Sequence, residues 1–159
     1  MTVFDGGIEL GTVTVSARGR WNFITGSGLA NTTHVFTARE TDASGNVSST
    51  SGSAQLGSSG KDTLTSTSGP DIMTGGKGAD LFSFVANFGA DIITDFAVSG
   101  SAHDIISLKG NAVLNSYKAV MAHATQVGSS VVIRQDANNS LTLSNVDKSS
   151  LTASDFAFG

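Results

Sequence analysis

Through residues 1–50 the apolar positions fall on alternate residues: Ile8 with Leu10, Val13 with Val15, Trp21 with Phe23, and Phe36 with Ala38. A period of two is the mark of strands with one buried face. Turn-forming clusters separate them at Asp5-Gly6-Gly7, Ala17-Arg18-Gly19, Gly26-Ser27-Gly28 and Asp42-Ala43-Ser44-Gly45-Asn46. The pattern predicts an antiparallel β-meander with Trp21 in its core. Residues 47–60, VSSTSGSAQLGSSG, lose the alternation and read as a Ser- and Gly-rich spacer up to about Gln55.

From Gly57 the pattern changes to a repeat. GSSGKDTLT, STSGPDIMT and GGKGADLFS follow end to end, with Gly60, Gly69 and Gly78 nine residues apart, as are Asp62, Asp71 and Asp80, and Leu64, Met73 and Phe82. Three columns keeping one period point to a stacked architecture. The period then breaks: Asp91 follows Asp80 by eleven residues and Asp104 follows Asp91 by thirteen, so the repeat is running into a cap. Beyond it, Leu114, Tyr117, Val120, Met121 and Ala124 keep helical spacing and predict a short amphipathic helix over Leu114–Thr125. Val131–Arg134 and Leu141–Leu143 read as strands around the turn Asp136–Asn139, and the closing SSLTASDFAFG suits a short helical turn.

Nine residues divide into a six-residue turn and a three-residue strand of about 10 Å. Two repeats then close one coil, with turns on opposite edges. Asp62 and Asp80 should stack on one edge and Asp71 should lie on the other. Glycines at Gly57, Gly60, Gly69, Gly75, Gly76 and Gly78 allow the turn its shape, positive φ being expected at Gly75, Gly76 and Gly78. Their carbonyls, with Asp62, Asp71 and Asp80, offer the oxygen-rich shell that Ca2+ takes, about six to eight oxygens at roughly 2.3–2.6 Å, where Mg2+ would demand a stricter octahedron. Asp also favours turns for its own sake, so the column alone admits that reading too. One apolar residue per nine is a thin core. Cation binding should therefore supply much of the folding free energy, and the repeat should be disordered without calcium.

Charge agrees with a hard cation. The net charge is −4, and six of the eleven Asp lie between Asp62 and Asp104, opposed in that window only by Lys77. No basic face suits nucleic acid. No apolar span of about 20 residues suits stable membrane insertion, and MTVFDGG lacks the features of a secretory signal peptide. Cysteine is absent, so any staple must be something other than a disulfide. His34, His103 and His123 share no metal spacing, Asp42 and Asn46 read as an Asx turn, and no nucleophile or paired-carboxylate frame suggests an enzyme.

Two resemblances add to this. VFDGGIELGTVTVSARGRWNFITGSGLANTTHVFTARETDASGNVSS resembles the later strands of the bacterial immunoglobulin-like repeats of large secreted adhesins. The nonapeptides resemble G-G-x-G-x-D-x-U-x, the known calcium-binding RTX repeat, and GGKGADLFSF, GADIITDF, HDIISL and LTASDFAFG follow the order of the C-terminal region of RTX proteins exported by type I secretion. The resemblance implies an all-β chain: a partial immunoglobulin-like meander over 1–52, a parallel β-roll and start of its cap over 53–110, and over 111–159 a β-rich cap with one short helix and an uncleaved signal read by an ABC exporter. It implies further ligands at Asp91, Asp95 and Asp104, for which an ordinary strand-flanking role is the alternative. The expected function is a non-catalytic, calcium-folded secretion module of an extracellular adhesin-like protein, with a cell-surface or host ligand possible through further domains. A carrier domain of a secreted protease or lipase, or a calcium-independent β-solenoid, are the alternatives.

Overall fold

A computed structural model describes residues 1–25 and 28–159; Gly26 and Ser27 of the expected third turn lie outside the described residues. The described chain is mostly β. Its strands are β1 (Thr2–Asp5), β2 (Ile8–Thr12), β3 (His34–Arg39), β4 (Ala54–Leu56), β5 (Thr63–Thr65), β6 (Ile72–Thr74), β7 (Leu81–Ser83), β8 (Ala90–Ile93), β9 (Ile105–Ser107), β10 (Ala124–Val127), β11 (Ser130–Arg134), β12 (Ser140–Leu143) and β13 (Phe156–Ala157), with one α-helix, α1 (Tyr117–His123), and short 3-10 turns at Lys148–Ser150 and Ala153–Asp155.

The first three strands make an antiparallel meander, β1 pairing with both β2 and β3. Gly6 and Gly7, at φ 54° and 89°, turn the chain between β1 and β2. β1 escaped the alternation rule because its apolar pair is adjacent: Val3 is buried, while Phe4 lies on the other face under the guanidinium of Arg39, 5.9 Å from its ring centre. The stretches around Val13–Val15 and Trp21–Phe23 do not form strands, and Trp21 is 43% exposed, not core. Among the described residues of 1–50 only Val3 and Ala38 are buried apolar side chains, so this sheet offers Trp21 no enclosed interior; its ring lines an open apolar hollow with Val3, Phe36 and Ala38.

β3 pairs antiparallel with β4, so the meander and the repeats share one nine-stranded sheet, ordered β10-β11-β12-β8-β6-β4-β3-β1-β2. A second sheet of four strands, β13-β9-β7-β5, faces it. Successive repeats alternate between the two sheets, and within each sheet they pair in parallel: Gln55 with Met73 and Met73 with Ile93 in one, Leu64 with Phe82 and Phe82 with Ile106 in the other. This is the parallel β-roll. Leu64, Met73, Phe82, Ile93 and Ile106 are fully buried between the sheets.

The roll begins inside the stretch that reads as spacer. Ser53 and Gln55 are buried and stand nine residues before Asp62 and Leu64. Gln55 behaves as a piece of extra backbone beside the edge strand β5. Its Nε2 donates to the carbonyl of Thr65 at 2.7 Å, and its Oε1 accepts the Thr65 N–H at 3.1 Å.

At the other end the cap closes the roll. Ser116 caps α1, accepting the Ala119 N–H. The helix stops at His123 where Ala124 opens β10, earlier than its spacing predicts, because Ala124 is drawn into pairing with Ile133 of β11. β12 then pairs in parallel with β8, and β13 with β9. The apolar cluster runs unbroken from Leu64 through Phe88, Leu114, Val131 and Leu143 to Phe156. The one-per-nine core of the repeats is thus continued by the core of the cap.

Phe82→Ala is expected to lower stability by about 3–5 kcal/mol through the cavity it leaves, and Gln55→Leu by about 1–3 kcal/mol through the unpartnered Thr65 backbone. Val85→Ala, on the surface, should stay within about 0.5 kcal/mol. Thermal unfolding of the three variants in calcium measures the order.

Candidate calcium site

The roll has two edges of turns, and one rule repeats along both. Asp71, Asp80, Asp91 and Asp104 each use Oδ1 to accept a main-chain N–H from the coil before. On one edge the N–H of Asp62 donates to Asp80 Oδ1, and that of Asp80 to Asp104 Oδ1, both at 2.8 Å. On the other edge the N–H of Asp71 donates to Asp91 Oδ1 at 2.8 Å, and that of Ser53 to Asp71 Oδ1. Asp80 therefore faces Asp62, eighteen residues back, and not its nearer neighbour Asp71. The step lengthens to 20 residues at Asp91 and 24 at Asp104 as the turns take up the extra residues.

The second oxygen distinguishes the turns. Asp62 Oδ2 accepts the N–H and hydroxyl of Ser58 at 2.7 and 2.8 Å, and Asp71 Oδ2 accepts the N–H and hydroxyl of Thr67, the latter at 3.0 Å. These hydroxyls stand where the ideal repeat has glycine. Asp104 Oδ2 takes the Ala97 N–H at 2.8 Å. Asp95 accepts the N–H groups of Gly75 and Gly76 at 2.9 and 2.8 Å. Asp80 Oδ2 and Asp91 Oδ2 are buried and have no hydrogen-bond partner. An ionised oxygen left so is costly unless a cation meets it.

Glycines build the space around Asp80 Oδ2 and between the stacked turns. A Cβ on Gly75 would lie 2.5 Å from Asp80 Oδ2, and one on Gly57 would lie 2.2 Å from the Gly75 carbonyl oxygen. Gly76 and Gly78, at φ 89° and 126°, would meet the carbonyls of Ser58 and Gly60 at 2.5 and 2.3 Å. Gly75 itself does not have positive φ, contrary to the sequence expectation; close approach of stacked turns, not handedness, is what excludes a side chain there. Gly69 is held by the same crowding, 3.2 Å from Gly52 Cα, whereas Gly60 has room for a methyl group. Gly89, at φ 83°, repeats the crowded arrangement against the carbonyl of Gly69.

The donor set fits a hard cation that takes main-chain oxygens. Among the described residues no three His, Cys, Asp or Glu side chains gather as a metal cluster. One carboxylate per turn with stacked carbonyls suits Ca2+ and not a transition metal. Burial raises the Asp91 carboxyl from 3.8 to about 7, helped by the charge of Asp71 and opposed by the Asp71 N–H bond and the nearby Ser66 hydroxyl, which does not reach Oδ2 in hydrogen-bond geometry. Burial raises Asp80 as well, with Asp104, Asp62 and Asp95 adding repulsion against its own N–H bond, and burial raises Asp104. At Asp62 burial pushes upward too, but the Thr33 hydroxyl and the Ser58 N–H and hydroxyl hold the carboxyl below its ordinary value.

Some members of the site had no legible role in the sequence. Ser53 takes the Asp position one repeat earlier, and counting back nine from Asp62 would have found it. Asn31 and Thr33 reach Ser59 and Asp62 from 28 and 29 residues away, and nothing in the repeat foretells them. Asn139 accepts the Gly89 N–H at 3.0 Å and is itself held by Asp136. The histidines are structural: His34 pairs with Asp5 and His103 with the buried Asp155, each at 2.6 Å.

A two-sheet parallel roll with glycine turns and a carboxylate per turn is the architecture of a cation-binding repeat. Residues 56–93 match the family described as RTX calcium-binding nonapeptide repeat, in four copies. That repeat family binds calcium ions, and proteins that carry it are typically secreted. No curated protein matches the chain. Among the described residues no helix is long and apolar enough to cross a membrane.

Between pH 3.8 and about 7 the folded chain keeps a proton on Asp91 that the unfolded chain has lost. Stability without calcium should therefore fall as pH rises through that window. Calcium needs the ionised carboxylate, so its affinity should rise over the same window and level off above about pH 7, with proton release on binding. Calorimetry in buffers of different ionisation enthalpy reads the released proton. Gly75→Ala should abolish binding at its turn, whereas Gly128→Ala, with open space but φ 60°, should cost only about 1 kcal/mol of backbone strain.

Proposed function

We propose that the chain is a non-catalytic calcium-folded module of an extracellular RTX-type protein, exported unfolded and ordered outside the cell. The observation that carries this reading is the pair of buried, unpartnered oxygens, Asp80 Oδ2 and Asp91 Oδ2, one on each edge of the roll and both within the matched repeats. In the proposed site Asp62, Asp71, Asp80, Asp91, Asp95 and Asp104 supply carboxylates, and the turns at Gly57, Gly60, Gly69, Gly75, Gly76 and Gly78 supply shape and carbonyls. Calcium bound there would supply the positive charge that the buried Asp80 and Asp91 oxygens lack. The chain's own part is to hold Asp80 and Asp91 by the N–H groups of Asp62 and Asp71 one coil earlier, so that at these two carboxylates Oδ2 remains to be met.

Residues 53–110 are then the calcium-binding roll and the start of its cap, and 111–159 the C-terminal cap bearing the export signal for an ABC exporter. Residues 1–52, resembling adhesin immunoglobulin-like strands, favour an adhesin-like parent over a secreted hydrolase. The physics suits export. Scarce cytosolic calcium leaves the carboxylates mutually repelling and the roll threadable, while calcium outside the cell folds it.

Circular dichroism of the chain in chelator and during calcium titration should show β-structure gained with calcium; an unchanged spectrum overturns the reading. Asp80→Ala and Asp91→Ala should each raise the calcium midpoint by at least about tenfold, and Glu9→Ala should not move it. For export, deleting residues 151–159 should abolish secretion of the chain by a type I exporter. Full secretion of the truncated chain would rule out a signal there.

A further inference from the structure

A stacked roll has an unsolved end. Every internal turn is braced by the turn one coil earlier, but the first turn on each edge has no such neighbour. On one edge Ser53, in the Asp position of a degenerate repeat, gives its N–H and hydroxyl to Asp71 Oδ1. On the other edge the first turn is residues 57–62, and no repeat precedes it.

A loop from the meander stands in that place. Thr33 Oγ1 donates to Asp62 Oδ1 at 2.7 Å. This is the same oxygen that, in Asp80 and Asp104, accepts the N–H of the preceding coil. Asn31 bonds twice to Ser59, its Oδ1 accepting the main-chain N–H at 2.8 Å and its Nδ2 donating to the hydroxyl at 2.7 Å. The loop is shaped from within. Buried His34 bonds the Ala30 carbonyl through Nε2 at 3.0 Å and Asp5 through Nδ1 at 2.6 Å, and the other oxygen of Asp5 accepts the Val35 N–H at 2.9 Å. His34 thereby ties the two ends of the loop 30–34 together.

We propose that Asn31 and Thr33 act as a surrogate turn that caps the open edge of the roll, positioning Asp62 for the first cation and coupling order in the meander to calcium. The coupling must be reciprocal: calcium at the 57–62 turn strengthens the meander, and loosening the loop weakens that first site. Thr33 and Asn31 touch the turn and its carboxylate, and His34 acts only through the loop. This rests on the calcium reading of Asp62.

Hydrogen exchange of the whole chain across a calcium titration tests it. In Thr33→Val, which keeps the side-chain shape and removes the donor, the midpoint for the amides of Ser58, Ser59, Gly60 and Asp62 should rise about tenfold, since one bond to a charged group is lost. The amides of Ile92 and Ile93 should keep their midpoint, and β1 and β3 should lose their calcium-dependent protection. Asn31→Ala and His34→Ala, which loosen the loop without removing the Thr33 hydroxyl, should do the same more weakly. If the unaltered chain responds to calcium and Thr33→Val moves all turns equally or none, the capping role is wrong while the calcium reading stands. If the unaltered chain shows no calcium response anywhere, both fall together.

Discussion

The structure depends on one repeated bond: a main-chain N–H from one coil donated to the Oδ1 of an Asp in the next. It sets the register between coils at the turns, where no strand ladder operates. It also orients the carboxylate, most plainly at Asp80, whose second oxygen turns toward Gly75 and stays without a hydrogen-bond partner. The strands are only three or four residues long in the repeats and could not hold register by themselves.

That arrangement carries an internal conflict. Stacking brings carboxylates of one sign into line along each edge, and burial makes their ionisation costly, most visibly at Asp91. Two means of relief are present in the same molecule. Ser58 and Thr67 bring hydroxyls to Asp62 and Asp71, while Asp80 and Asp91 each keep a buried oxygen without a hydrogen-bond partner. The departures from the ideal glycine pattern and the unpartnered oxygens are therefore two answers to one electrostatic demand.

The ends of the roll are closed by non-repetitive sequence. Gln55 covers the edge of β5 and the loop 30–34 meets the first turn on the Asp62 edge, while β12 and β13 extend each sheet at the cap. An uncovered edge of unpaired backbone would be open to association with other chains. The cap also enlarges the core: Phe84 and Phe88, packed edge to face at 5.3 Å, bridge from the last regular turn into the cluster around Leu141 and Leu143.

The sequence by itself determined the repetitive part. A period of nine in three columns was enough to place Leu64, Met73 and Phe82 inside, to put Asp62 and Asp80 on one edge, and to mark where the roll gives way to a cap, because a repeat encodes its own neighbours at a fixed offset. It determined the meander only in part: alternation at Ile8–Leu10 and Phe36–Ala38 lies in strands, whereas at Val13 and Trp21 it had no second sheet to pack against and made no strand. Only the tertiary structure decided that β3 joins β4, and that Asn31 and Thr33 reach a turn 28 and 29 residues away. Such contacts occur once, between segments whose sequences share no pattern, and they exist only because the shared sheet brings the two together.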